Sequence, residues 1–261
     1  MTTLAERARA YLQDGPRPSL DIVREVMGLA RANLAVSERL AVALLGADPR
    51  FSCDREGCWA LVPEPAWLGV PLDDVRFAVV DVETTGMRAR DGDRITEIAV
   101  VHVDGPRLAV AFESLVNPGR PIPWRIAALT GITDRQVAMA PTFDALADRL
   151  QAALAGRVFV AHNARFDWAF VSAELERATG YPPRMPKLCT VRLTRRLVPE
   201  LTRRSLDSVM VYFGLETDRR HRAGGDAVVT AKALLRLIRR AEERGLRTWE
   251  DLAQLSRTNQ A

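Results

Sequence analysis

Apolar and polar positions recur along this chain with two periods, and each period predicts a kind of element. From Phe77 to Val80 an unbroken apolar run leads into Asp81-Val82-Glu83-Thr84-Thr85-Gly86, the pattern of a buried central strand that opens onto a polar turn. Ile95 to Val103 and Leu108 to Val116 repeat the strand pattern, and the Asp104-Gly105 pair between them is a hairpin signal. Spacing then turns helical: Phe143, Leu146, Leu150 and Leu154 predict a helix from Pro141 to Ala155. Val158 to Ala161 returns as a strand. Helices are predicted over Thr190 to Val198, Ser205 to Phe213 and Ala227 to Arg240, the last with Val229, Ala233, Leu234 and Ile238 along one side.

Residues 1–63 read as a separate small unit. Met1 to Gly15 is a polar helical pattern, Leu20, Ile22, Val23, Val26 and Met27 predict a second helix, and Ser37 is placed to cap a third that runs through Leu45. Phe51 to Val62 predicts a hairpin around Arg55-Glu56-Gly57, with Trp59 on its core side. Helices followed by such a hairpin are similar to a winged-helix module. Residues 64–74, within a proline-containing stretch from Pro63 to Pro71, read as a linker, and 246–261 as a C-terminal extension.

Composition narrows the class. With 261 residues, 48% of them hydrophobic, the chain can bury one sizeable core and a small one. Neither a membrane span nor an apolar signal core is seen, so the expected location is the cytoplasm, with no membrane partner. Three cysteines cannot all pair, and Cys53 with Cys58 lacks the second Cys/His pair of a zinc site, so free thiols are expected. The net charge of +4 is less telling than its distribution. Arg192, Arg195, Arg196, Arg203, Arg204, Arg219, Arg220 and Arg222 crowd one stretch and read as a positive rim for a polyanion. The alternative is general arginine enrichment, since lysine stands only at 187 and 232.

Three polar segments carry the candidate chemistry. Asp81 and Glu83, two apart on a strand, share a face, and like charges in a half-buried strand call for cations between them. In His162-Asn163-Ala164-Arg165-Phe166-Asp167, Asn163 is an N-cap candidate, and Asp167 falls in the first helical turn, which favours a carboxylate even without metal. His162, at a strand end, reads as structural. In the stretch from Asp218 to Asp226, His221 lies in a basic loop, Asp226 starts the helix, and Gly224 and Gly225 permit close approach to a ligand. Four carboxylates and one imidazole form a ligand-and-base set for cutting phosphodiesters with two metal ions. An all-oxygen set suits Mg²⁺ or Mn²⁺ better than zinc.

Together these residues resemble the DnaQ-like family of 3′-to-5′ exonucleases, the DEDD type with histidine. Its motifs stand here as Asp81 to Gly86, His162 to Asp167 and His221 to Asp226, and the resemblance covers about residues 75 to 245. Arg94 to Ile98 and Leu129 to Thr133 also look like family blocks; Cys189-Thr190 departs, since relatives often have an acid before the threonine. The resemblance implies an RNase H-like α/β fold: a mixed five-stranded sheet with flanking helices. It implies that Asp81, Glu83 and Asp226 hold two Mg²⁺ or Mn²⁺ ions, that Asp167 completes the second site, and that His221 is the general base. Thr84, Thr85, Gly86 and Met87 would meet the terminal nucleotide, with Met87 either wedging between the last two bases or packing in the core. Leu129, Thr130, Asn163 and Phe166 are further contacts, Phe166 either stacking on a base or anchoring its helix. The implied substrate is nucleic acid with a 3′ end, single-stranded or frayed DNA first and RNA as the alternative. A polymerase or another repair protein is the implied partner. A nucleic-acid adaptor with a silent nuclease fold is the reading from a different class.

Overall fold

The computed structural model describes residues 3–46, 48, 50–61, 69–180 and 182–257, so part of the expected linker and the last residues of the expected extension lie outside the described residues. The chain divides into two compact units, Met1–Ala66 and Trp67–Ala261.

The first unit holds helices α1 (Leu4–Tyr11), α2 (Ser19–Asp21) and α3 (Leu34–Leu45), with α2 running on into a wider helical turn over Ile22–Val26. Its strands β1 (Arg17–Pro18), β2 (Phe51–Cys53) and β3 (Cys58–Leu61) form an antiparallel sheet in the order β1-β3-β2. Trp59 is buried with Ile22, Leu45 and Phe51, and its indole N–H donates to the Ser19 hydroxyl at 3.0 Å. Helix α3 departs from the expected cap. Asn33, not Ser37, accepts the Val36 amide at 2.9 Å, and Ser37 lies buried one turn inside the helix.

The second unit is built on a five-stranded sheet in the order β6-β5-β4-β7-β8. Its strands are β4 (Arg76–Thr84), β5 (Ile95–Asp104), β6 (Arg107–Leu115), β7 (Val158–Ala161) and β8 (Lys187–Cys189). The pairs β4–β5 and β5–β6 are antiparallel, whereas β4–β7 and β7–β8 are parallel, which makes the sheet mixed. The β5–β6 turn closes over Gly105-Pro106 between the paired Asp104 and Arg107, one residue later than the expected Asp104-Gly105, and Gly105 supplies the positive φ of 55° that the first central position of such a turn calls for. The helices are α4 (Trp124–Thr130), α5 (Asp134–Ala138), α6 (Phe143–Leu154), α7 (Ala164–Thr179), α8 (Thr190–Leu197), α9 (Leu206–Phe213), α10 (Ala223–Glu243) and α11 (Trp249–Arg257).

Strand parity sorts the core into two layers. Phe77, Val79, Ala99, Val101 and Val103 face α8, α10 and α11, while Ala78, Val80, Val82, Ile98 and Val100 face α6 and α7. Asp81 and Glu83 continue the odd-numbered row of Phe77 and Val79, so β4 aims them at α10. Helix α10 begins at Ala223, ahead of the expected start, and Asp226 lies in its first turn. Small residues Ala223, Gly224, Gly225, Ala227 and Ala231 line its buried side and let it lie close against the sheet. Trp249, Leu252 and Ala253 of α11 are buried in the same layer, and Leu72 and Trp249 donate backbone hydrogen bonds to Arg247 and Val70, at 3.0 Å each. Among the described residues no helix is long and apolar enough to cross a membrane, and Cys53, Cys58 and Cys189 are free thiols.

Candidate active site

Asp81, Glu83 and Asp226 each offer a carboxylate oxygen, and the three oxygens lie within 4.8 Å of one another. Two come from the end of β4 and the third from the first turn of α10, where partial positive charge also favours an acid. Asp167, in the first turn of α7, is buried and stands outside this trio. Its carboxylate accepts the Val82 amide and its own, which fastens it to β4, and its charge acts on Asp81.

Crowding so many acids has an electrostatic cost. Burial first, then the neighbouring Asp167, Asp226 and Glu83, holds the Asp81 carboxyl well above the usual range. Burial and Asp226 push Glu83 up to about 8, burial pushes Asp167 up to about 7, and burial raises Asp226. Arg220 opposes this. Its guanidinium bonds Asp226 and donates to Asp207 of α9 at 2.6 Å, and its charge also acts on Asp81 and Glu83.

These features fit divalent cations. Every donor is a hard oxygen, the second oxygen of Asp226 is buried without a hydrogen-bond partner, and a guanidinium stands in for positive charge at the cluster. Asp81, Glu83 and Asp226, with Asp167 behind them, are the residues that would hold Mg²⁺ or Mn²⁺.

His221 is partly buried in the loop before α10, with a left-handed backbone (φ 59°). Its amide donates to Asp226, and the imidazole is close enough to act electrostatically on Asp226 and Asp207. His162 is engaged elsewhere: Nε2 donates to the Arg204 carbonyl at 2.9 Å and Nδ1 accepts from the Thr190 hydroxyl at 2.9 Å, while burial lowers its pKa. The two glycines in the first turn of α10 serve the protein rather than a ligand. A side chain at Gly225 would overlap the Arg219 backbone, and one at Gly224 would overlap the Glu113 carboxylate.

The expected nucleotide contacts divide into exposed and internal groups. Met87 is 74% exposed and Leu129 56% exposed, so neither packs in the core. Asn163 is exposed, with a left-handed φ of 73°; it takes the N-cap position of α7 without making a side-chain cap bond. Thr84, Thr85 and Thr130 are buried. Thr84 donates to the Gly86 carbonyl at 2.5 Å, Thr85 accepts the Arg94 amide at 3.0 Å, and Thr130 donates to the Ile126 carbonyl at 3.0 Å, so these hydroxyls hold turns and helix ends. Gly86 leaves room for the Asp93 carboxylate, which a side chain there would strike. Phe166 leans on Phe170 with ring centroids 5.0 Å apart and packs against the core beneath α7.

Two buried glutamates escaped the sequence reading. Glu97 of β5, opposite Glu83, accepts Arg222 Nε at 3.0 Å and caps α10 through the Ala223 amide at 2.8 Å. Glu174 of α7 accepts Arg94 through Nε at 2.7 Å and Nη2 at 2.9 Å, and Arg177 at 2.7 Å. These clamps tie both acid-bearing helices to the start of β5. A lone acid inside the apolar run Ile95 to Val103 was the available signal for Glu97. The expected positive rim is divided by the same pairing: Arg219, Arg220 and Arg222 are bound to Glu113, to Asp207 and Asp226, and to Glu97.

Residues 78–234 match the RNase T family model, described as exonuclease. The chain is 41% identical over 190 residues to a DNA polymerase III subunit epsilon-like protein of Rhodobacter capsulatus, covering 71% of this chain and 27% of that protein. It is 36% identical over 185 residues to the 3′-5′ exonuclease DinG of Bacillus subtilis, covering 71% of this chain and 20% of the relative. The chain thus spans about a quarter of the length of these curated relatives. Among solved structures, Exonuclease X in complex with 5′ overhanging duplex DNA is similar with a TM-score of 0.53 and 29% identity, covering 70% of this chain and 99% of that one.

Two outcomes follow for the metal-free protein. Between about pH 4 and pH 8 the folded form keeps protons on Glu83 and Asp167 that the unfolded chain has released, so stability falls as pH rises through this window. Divalent cations compete with those protons. Thermal melts with and without Mg²⁺ will therefore show a larger Mg²⁺-induced rise in Tm at pH 8 than at pH 5.5; an equal rise at both would exclude these carboxylates as its ligands. Glu97→Ala leaves Arg222 and the Ala223 amide without their acceptor and costs about 1.5–3 kcal/mol, the usual worth of hydrogen bonds to a charged group. Urea unfolding measures this directly.

Proposed function

The chain belongs to the RNase T exonuclease family, and from that membership we propose that it is a metal-dependent 3′-to-5′ exonuclease acting on DNA. Convergence carries the reading: Asp81, Glu83 and Asp226, from segments far apart in sequence, bring their oxygens within 4.8 Å of one another, with Asp167 fastened to the same strand. No packing requirement gathers acids against a single arginine in this way, whereas a phosphate-cleaving centre does.

Divalent cations bound there would supply charge stabilisation for the scissile phosphate and the departing 3′ oxygen. The chain's own residues do the rest. His221 accepts the proton of the attacking water on its imidazole, and its place in the loop is kept by the Arg219–Gly225 approach and the Glu97–Arg222 clamp. The Arg94–Glu174 clamp keeps α7, and with it Asp167, in register with β4. Exposed Met87 and Leu129 offer apolar surface for the terminal bases, which supports unstacking of a frayed end. Nucleoside 5′-monophosphates leave one at a time. The chain's similarity to an epsilon-like polymerase subunit and to a 3′-5′ exonuclease supports DNA as the polymer and a polymerase or repair protein as the partner.

Purified protein given Mg²⁺ and 5′-labelled single strands will produce a descending ladder, faster on DNA than on the matched RNA. Asp81→Asn will abolish cleavage without lowering Tm. Since asparagine tolerates the left-handed backbone, His221→Asn isolates the imidazole and will lower kcat by roughly 10²–10⁴-fold, the usual worth of a general base, while Mg²⁺ binding persists. A strand bound but never shortened would instead favour a silent adaptor.

A further inference from the structure

A second charged feature lies outside the carboxylate cluster. A groove of about 490 Å³ runs between the first turn of α7, the edge strand β8 and helix α8, lined by Asn163, Arg165, Trp168, Lys187, Arg192 and Arg195 among others. Its lining contains four cations and no carboxylate. Arg165, Lys187, Arg192 and Arg195 are exposed, and among the described residues none of them forms an ion pair. Arg192 donates only to a neutral acceptor, the Ser256 carbonyl at 3.4 Å, so its charge stays uncompensated. Arginines bound to acids crowd the neighbouring loop, which makes the contrast informative.

The groove is also shaped. Arg165 and Trp168, three apart on α7, share one face, and Arg192 with Arg195 do the same on α8, so two helices present cations towards a common space. Lys187 lies 4.3 Å above the Trp168 ring, and that ring is braced edge-on by Phe159 at 5.1 Å. The indole's face is thus covered by an ammonium, which suits contact with phosphates rather than stacking of bases.

Position gives the groove its meaning. Strands β4, β7 and β8 are parallel neighbours, and their register sets Cys189, at the end of β8, level with Val80, so the groove opens at the end of the sheet that carries the acids, with β8 two strand spacings, about 10 Å, from β4. Helix α7 links the two sites directly: Asp167 faces the acids, and Trp168, the next residue, faces the groove about 100° further around the helix.

We propose that this groove holds the sugar-phosphate backbone of the strand being degraded, on the 5′ side of the nucleotide at the acids. This rests on the exonuclease reading. Arg165, Arg192, Arg195 and Lys187 contact internal phosphates, set the strand's direction towards the acids, and impose no base preference.

The test uses the full chain carrying Arg165→Gln, Arg192→Gln and Arg195→Gln together. All three side chains are exposed, and none belongs to the acid cluster or its clamps. KM for a long oligothymidylate should rise roughly tenfold or more, and the slope of log affinity against log salt should flatten by about 0.7 for each phosphate that the variant no longer neutralises. Hydrolysis of the p-nitrophenyl ester of thymidine 5′-monophosphate, too short to reach the groove, should stay within about twofold of the parent. An active variant with unchanged KM and salt slope on the long strand would overturn the proposal. Parent protein inert on both substrates would overturn the exonuclease reading instead, and fluorescence anisotropy of oligothymidylate binding in EDTA would still decide the groove: weakened binding by the variant supports it, undiminished binding overturns it.

Discussion

Mutual repulsion among buried and half-buried acids is the constraint around which the second unit is arranged. Asp81, Glu83, Asp167 and Asp226 would each be more comfortable apart, and burial lifts all four carboxyls above their ordinary range. The fold holds them together by fixing their carriers. Strand β4 is central, and although its pairing with β7 ends at Val79, its ladder with β5 runs on past Asp81 and Glu83 and holds the backbone beneath both acids. Helices α7 and α10 are each fastened to the start of β5 by a buried glutamate that grips an arginine: Glu174 with Arg94, and Glu97 with Arg222. Removing either partner of these pairs would leave a buried charge uncompensated, so each clamp is costly to break.

Much of this was legible from the residues, because the same feature that builds each element also aims its chemistry. The apolar run before Asp81 announced a buried strand, and strand parity then dictates that Asp81 and Glu83 follow Phe77 and Val79 to the α10 face. Helical periodicity located α6, α8 and α9, and Asp-Gly marked the β5–β6 turn. What stayed hidden depends on partners distant in sequence. Nothing local distinguishes Arg222, clamped by Glu97 125 positions away, from Arg192, which lines an open groove. Likewise Gly224 and Gly225 signal close approach, but only the fold shows that what approaches is Glu113 and the Arg219 backbone. Ser37 failed as a cap for a simpler reason: Asn33 offers the same chemistry one turn earlier, and Leu34 begins the helix there.

Charge separates the two units as clearly as their cores do. Up to Leu61 the chain carries eight arginines and eight carboxylates, so the whole formal excess of positive charge resides in later residues. Net charge in the first unit therefore adds nothing to long-range attraction of a polyanion, which would rest on the arginines of the later residues. Its helices and short antiparallel sheet close over Trp59, a small core sufficient for a compact module.

Arg220 gives the acid cluster a counter-charge drawn from the chain itself. In many small metalloproteins the ligands cannot tolerate one another until the ion arrives, so assembly waits on metal. Here a guanidinium from the chain itself lies against Asp226, tethered on its other side to Asp207. The charge that eases the crowding at Asp226 is thus written into the sequence, six residues ahead of the acid it serves, and is delivered by the same loop that leads into the helix.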